Sequence, residues 1–246
     1  MSDKSSIEWT EATWNPTTGC TKISSGCAHC YAERFAERFR GVVGHPYEQG
    51  FDLKIWENRL NLPLTWRKPR TVFVNSMSDL FHEDVPEDFI LKVFDVMAKA
   101  SQHHFQVLTK MPDRMLKISE SIGGFPPNVW AGVSVESQQW AWRIDLLRKV
   151  KTLVRFLSCE PLLAPLELDL TDIDWVIVGG ESGIGARPIA IEWVRDIRDQ
   201  CLQDDVAFFF KQWGGVRKKK TGRLLDDREW NEMPMKIHQK QLTQIK

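Results

Sequence analysis

The sequence has no long apolar run. Nothing in its 246 residues approaches the roughly 20 consecutive apolar residues that span a bilayer. The opening stretch MSDKSSIEWTEATW has no apolar core of the kind a signal peptide carries. Both absences lead to the expectation of a cytoplasmic protein with no membrane partner. Net charge is missing as well: Lys+Arg and Asp+Glu each number 33. There is thus no whole-chain attraction to nucleic acid or lipid, and any basic surface must be local. Five cysteines, an odd number with three inside eleven residues, exclude a secreted disulfide framework. In a reducing compartment such a cluster suggests metal or redox chemistry. No internal repeat and no low-complexity tract is present. Tyrosine is scarce, with two against eleven tryptophans. A Trp-rich core, its indole N–H groups reaching polar partners, accounts for most of them.

What is present is an alternation of short apolar runs and helical patterns. A first strand is expected around Ile7 to Trp14, then a helix from Tyr31 to Phe39. Residues 41–67 read as irregular. Strands follow at Thr71 to Asn75, Phe105 to Thr109, Val129 to Val135, Leu153 to Ser158, Trp175 to Val178 and Ala207 to Phe210. Helices are expected at Glu87 to Ala100, Asp113 to Ile122, Gln138 to Val150 and Ile191 to Leu202. Nearly all-apolar strands separated by helices imply a parallel sheet covered by helices. Six or seven such units fit either a barrel-like or a doubly wound sheet. No linker is visible. Residues 1–213 are expected to form one α/β domain. Residues 214–246 are expected to form a small hairpin appendage packed on it, with the last residues, 236–246, frayed.

The chemistry centres on the run GCTKISSGCAHCYAER. Cys20, Cys27 and Cys30 form C-x6-C-x2-C in the loop after the first strand. In a parallel α/β protein that loop lies at the C-terminal edge of the sheet, where active sites collect. Gly19 and Gly26 let the backbone turn beside two of the sulfurs. Three thiolates suit a 4Fe–4S cluster with one iron free of protein ligand. S-adenosylmethionine can occupy that iron through its amine and carboxylate, and one electron then cleaves its sulfonium. The rival is zinc, which wants four ligands. His29, held between Cys27 and Cys30, is badly placed as a fourth, so Cys159 or His82 would have to supply it. Three unliganded thiols are the remaining alternative.

The loop together with the strand–helix alternation resembles the radical S-adenosylmethionine superfamily. The longer run GCTKISSGCAHCYAE closely resembles the phage- and prophage-borne three-cysteine-motif family of uncharacterised function. That resemblance extends to NSMSDLFHEDVP, LTKMPDR, WAGVSVES, LSCEPLL, VGGESG and FKQWGG. It implies a partial (β/α) barrel of six to seven mostly parallel strands, a 4Fe–4S cluster on Cys20, Cys27 and Cys30, and bound S-adenosylmethionine. It also implies an electron donor of flavodoxin or ferredoxin type, and allows a protein partner encoded nearby. Asn75, Ser76 and Ser78 would hold the methionine amine. Ser134, Glu136, Ser158 and Glu160 would hold ribose and carboxylate, and Gly179 and Gly180 would admit the adenine.

These residues also form a pattern of their own, since nearly every strand exits into polar side chains. If the strands are parallel, those exits converge on one rim. Taken singly, each has a plainer reading. Asp79, Ser137 and Ser182 fit helix N-caps or loop solvation, and Glu33 and Arg34 fit a solvated helix face. Lys110 and Lys211 fit either a ligand carboxylate or phosphate or salt bridges to neighbouring acids. His103 and His104, at the opposite rim, read as structural. The run from Arg217 to Lys220, with Arg223, is the one concentration of positive charge. It suits phosphates, though Asp226, Asp227 and Glu229 would nearly cancel it. Three functions are therefore open: a radical S-adenosylmethionine enzyme acting on nucleic acid or a nucleotide, in repair or modification; a zinc-stabilised nucleic-acid-binding module; and a cluster-bearing partner protein without catalysis.

Overall fold

The structure, a computed structural model, describes residues 5–234; the expected fraying of residues 236–246 lies outside the described residues. The chain opens with β1 (Ala12–Trp14). A two-stranded antiparallel ribbon follows, made of β2 (Thr17–Thr18) and β3 (Lys54–Ile55), with α1 (Tyr31–Glu37) between them in sequence. Then come β4 (Thr71–Val74), α2 (Glu87–Lys99), β5 (His104–Thr109), α3 (Pro112–Ser121), β6 (Val129–Ser134) and α4 (Arg143–Lys149). The rest is β7 (Arg155–Cys159), β8 (Trp175–Gly179), α5 (Ile191–Gln203), β9 (Ala207–Gln212) and the single turn α6 (Lys218–Thr221). Among the described residues no helix is long and apolar enough to cross a membrane.

Seven strands pair in the order β1-β4-β5-β6-β7-β8-β9, every neighbour parallel. The order never reverses, so there is no switch point and the doubly wound alternative falls. The sheet is also curled. The Trp9 ring lies 4.7 Å from Phe73 of β4 and 6.1 Å from Trp175 of β8. Four strand spacings would separate those strands by about 19 Å in a flat sheet. The protein is an α/β partial barrel.

Successive strand residues point to opposite faces, and both faces are apolar here. Outward residues such as Val72, Val74, Val129, Ala131, Val176 and Val178 join the main core. Helix α2 meets that core through Phe89, Ile90, Val93, Phe94 and Met97, spaced as one helical face. Inward residues Phe73, Trp130, Phe156, Trp175, Ile177 and Phe209 form a second cluster with Trp9 inside the curl. The tryptophan-rich core is thus partly a barrel floor. Trp14, Trp175 and Trp230 each donate their indole N–H to a backbone carbonyl.

Three elements differ from the sequence expectation. The first strand is shorter, because residues before Ala12 turn under the barrel so that Ile7 and Trp9 reach the aromatic floor. The helix expected from Gln138 to Val150 splits into a 3-10 turn, Gln138–Trp140, and α4. The break coincides with Arg143 turning inward beneath the Trp140 ring, 4.1 Å from its centre. The hairpin after β9 is reduced to one tight turn. Asp226 and Asp227 both take positive φ (53° and 60°), and Leu225 and Arg228 exchange both backbone bonds. This is the turn type whose twist suits a hairpin. The chain then runs back antiparallel along β9, where Phe210 N–H bonds Trp230 and Glu232 N–H bonds Phe208. That return covers the edge of the sheet.

Candidate active site

The strand ends do converge. Inside the curl, at the C-terminal ends of the strands, lies a cavity of roughly 390 Å³. Cys20, Cys27 and Cys30 line it together with Asn75, Ser76, Ser78, Lys110, Ser134, Ser158, Glu160 and Lys211. Three of the sequence candidates lie outside that lining. Glu136 is wholly buried against Arg143. Gly179 faces the Glu160 and Lys211 side chains, and Gly180 lies against the Trp213 carbonyl. The closeness at Gly180 is to the chain's own backbone, so no room is left there for an adenine ring.

The cysteine loop is tied to the rim at several points. At its start, Gly19 has φ 87°, and a side chain there would overlap the Phe51 and Asp52 carbonyls. Gly19 N–H donates to Met77, and Ser78 Oγ donates to the Gly19 carbonyl at 2.6 Å. His82, 1% exposed, accepts the Asp84 N–H at Nδ1, so its Nε2–H faces Thr21 Oγ1 at 2.7 Å. Further on, Ser24 Oγ donates to Glu136 Oε1 at 2.5 Å, and Tyr31 O–H donates to the Ser76 carbonyl at 2.5 Å. Lys22 pairs with Glu33 at 2.8 Å, so this part of α1 also steadies the loop. Gly26 does not take a positive φ. Its lack of a side chain serves close approach to Glu136, not the tight turn expected from sequence.

The loop's far side is gripped by Glu181. This carboxylate accepts from His29 Nδ1 at 2.9 Å and from Arg187 through Nε at 2.9 Å and Nη2 at 2.5 Å, while Arg187 also donates to Ser25. Burial is the largest influence on Glu181 and raises its pKa. The Arg187 and His29 bonds override it and hold the carboxyl at about 2.

The thiols have only long contacts, Cys20 Sγ to the Thr21 carbonyl and Cys27 Sγ to Ser24 Oγ, each at 3.5 Å. Burial pushes Cys20 up to about 12, and Asp79 and the neighbouring Cys27 and Cys30 push the same way. Burial also raises Cys30. A cation beside these sulfurs would relieve the cost of ionising them. The fourth ligands that the sequence offered are engaged or buried elsewhere. The His29 Nδ1 is on Glu181, His82 is occupied at both ring nitrogens, and Cys159 is wholly buried. Among the described residues no group of three or more His, Cys, Asp or Glu is arranged around a single ion. Three cysteines are one short of the four ligands that structural zinc takes.

Both lysines reach strand-end acids. Lys211 pairs with Glu160 at 2.6 Å, and Ser158 donates to the other Glu160 oxygen. Lys110 lies 3.1 Å from Ser134 Oγ and 3.7 Å from Glu136, whose charge Arg143 already balances. Lys110 therefore retains positive character beside the thiols. On the β4 side, Asn75 holds Thr17 and Ser76 bonds Asn15, so these residues line the cavity while bracing it.

Asp79, Ser137 and Ser182 do not cap helices. Asp79 accepts from Thr109 Oγ1 and Lys110 N–H and so joins two strand exits, Ser182 accepts from Gln212, and Ser137 makes no capping bond. His103 is structural, bonded to the Pro63 carbonyl. Sequence reading missed Trp9 and Tyr31 as cavity residues. Tyr31 directly follows Cys30, which was a usable signal; Trp9 gave none, because its place depends on the curl.

A model of the family described as "Protein of unknown function (DUF5131)" matches residues 4–234. No curated protein matches the chain. Among solved structures, spore photoproduct lyase complexed with dinucleoside spore photoproduct is similar at 11% identity and a TM-score of 0.45, covering 75% of this chain and 59% of that one. A double mutant of that lyase with bound AdoMet and dinucleoside spore photoproduct gives 13% identity and a TM-score of 0.45, covering 76% and 60%. The chain thus spans about three fifths of the length of those lyases.

Proposed function

The chain belongs to the DUF5131 family, and from that premise we propose that it is a radical S-adenosylmethionine enzyme whose Cys20, Cys27 and Cys30 hold a 4Fe–4S cluster. One observation carries the reading: three free thiols meet at one cavity walled by polar strand ends. When bound, the cluster supplies one electron to the sulfonium of S-adenosylmethionine, which splits a carbon–sulfur bond to give a carbon radical. A flavodoxin- or ferredoxin-type protein is the donor of that electron.

The chain's own residues bind and orient. Asn75, Ser76 and Ser78 face the methionyl amine. Ser134, Ser158 and Glu160 face the ribose and carboxylate, and Lys110 offers the carboxylate a positive charge. Glu136, Gly179 and Gly180 take no ligand contact in this reading. The apolar side chains of Ile7, Trp9, Phe73 and Leu108 line the cavity's lower wall and exclude water from the reacting atoms.

The substrate is nucleic acid or a nucleotide. Its support is the basic turn at Arg217 to Lys220, which follows Gly215. Gly215 in turn bridges to Ser182 on the cavity wall. One of the acids that nearly cancel this charge in sequence is engaged elsewhere. Asp226 is bound by Arg195 and Arg198 of α5, and Glu229 lies near Arg223. Arg217 and Lys220 are exposed and suited to phosphates.

The test is anaerobic purification and reconstitution with iron, sulfide and zinc analysis, followed by reduction with S-adenosylmethionine present. About four irons per chain, with release of methionine and 5′-deoxyadenosine, is the expected result. About one zinc and no iron would replace this reading with the zinc module. An intact cluster that neither binds nor cleaves S-adenosylmethionine would leave a non-catalytic cluster protein.

A further inference from the structure

We propose that Glu136 is a positioning residue for the cysteine loop, a buried carboxylate that sets Cys27 in place before iron arrives; the proposal rests on the cluster reading above. Glu136 is 0% and Arg143 1% exposed, and the guanidinium holds Glu136 Oε2 at 2.9 Å while donating to the Ser134 carbonyl at 2.8 Å. The Glu136 carbonyl is fixed in turn by Leu163 N–H. With Oε2 committed to Arg143, Oε1 is presented to the loop and accepts Ser24 Oγ at 2.5 Å.

Ser24 is one step from the sulfur. Its carbonyl accepts the Cys27 N–H at 3.0 Å, and its hydroxyl lies 3.5 Å from Cys27 Sγ. Gly26 packs directly on the same carboxylate. A Cβ there would sit 2.6 Å from Glu136 Cγ and 2.9 Å from Cδ, with a side chain that Arg143 prevents from moving aside. The residues between Cys20 and Cys27 thus carry the chain from the β4 exit, where Gly19 bridges to Ser78, to the β6 exit, where Glu136 waits. That crossing accounts for a gap of six residues between the first two cysteines.

Glu181, through His29 and through Arg187 on Ser25, grips the loop from the other side. The conformational cost of ordering residues 24–29 is therefore met largely by the chain, and the thiols are left free for metal. Partners of metal ligands act in this way, and losing one weakens metal binding about 10- to 100-fold.

The test compares the full-length wild type with Ser24→Ala, Gly26→Ala, Glu136→Gln and the conservative Ser24→Thr. All are reconstituted anaerobically and then challenged with an iron chelator. Iron retained per chain and the paramagnetic spectrum of the reduced cluster are read, and melting of the metal-free chains reports folding. Ser24→Ala and Gly26→Ala are expected to hold iron about 10- to 100-fold less tightly, with an altered spectrum and a near-normal melt, while Ser24→Thr recovers most of the loss. Glu136→Gln leaves Arg143 buried without its counter-charge, so if it fails to fold the two loop variants decide. Wild-type iron retention and spectra in both would overturn the positioning role and leave the cluster reading standing. A wild type that takes up no iron would remove both.

Discussion

The floor and the rim of this barrel occupy the same inward-facing positions and do opposite work. On β6 the inward residues run Trp130, Gly132, Ser134, and from β7 onward Phe156, Ser158, Glu160. On β9 they run Phe209, Lys211. Each of these three strands begins as an aromatic plug and ends as a polar wall. Phe156 fills the space that a side chain at Gly132 would take, so the floor is close-packed across strands. The rim is held instead by hydrogen bonds and ion pairs between loops. Stability is therefore expected to concentrate below and chemistry above, with Glu136–Arg143 as the exception.

The largest effect should come from the floor. Trp175→Ala removes a ring that touches Trp9, Trp130, Phe156 and Phe209. It should cost about 3–5 kcal/mol by urea unfolding, while folded molecules still take up iron. Arg143→Met would break the comparison if rim residues can matter equally. It strands the Glu136 carboxylate in the interior at a cost of about 3 kcal/mol, and adding Glu136→Gln should recover part of it. A weaker effect, confined to acid, is expected at Glu181. Its carboxyl sits at about 2 in the folded chain against an ordinary 4.5. Its stabilisation is therefore complete above 4.5 and drains as the pH falls toward 2. Urea midpoints across that range should slope less in Glu181→Gln. The smallest effect on stability belongs to Cys20→Ala. The metal-free chain should lose no more than about 1 kcal/mol, yet cluster uptake should vanish in iron analysis. A large loss of stability there would mean that the sulfur is a packing group and would dissolve the division between floor and rim.

Much of this was legible in sequence for local reasons. The runs TVFV, VWAGVS and WVIV are too apolar for a half-exposed strand, and each forms a central strand buried on both faces. Cys20, Cys27 and Cys30 share one short loop, so their proximity needed no fold to predict. Lys211 beside Glu160 was one of two stated alternatives, and the ion pair is the one found in the chain as it stands. What failed did so where the folded environment, not the local pattern, decides what a side chain does. Ser137 read as a cap or a loop residue, and it sits at the N-cap position of the 3-10 turn without a capping bond from its hydroxyl. Glu136 read as a ligand-binding acid at a strand end, until Arg143 seven residues later took it into the core.

The three cysteines, the strand–helix alternation and the polar strand exits were set by the sequence alone, since hydrophobic period and residue type act over a few residues. The curl of the sheet, the aromatic floor under Trp9 and the two posts that hold the cysteine loop were decided by tertiary structure. The bonds that make those posts join Ser24 to Glu136 and His29 to Glu181, across 112 and 152 residues. Nothing in the local pattern at either end specifies its partner; only the closing of the barrel brings them together.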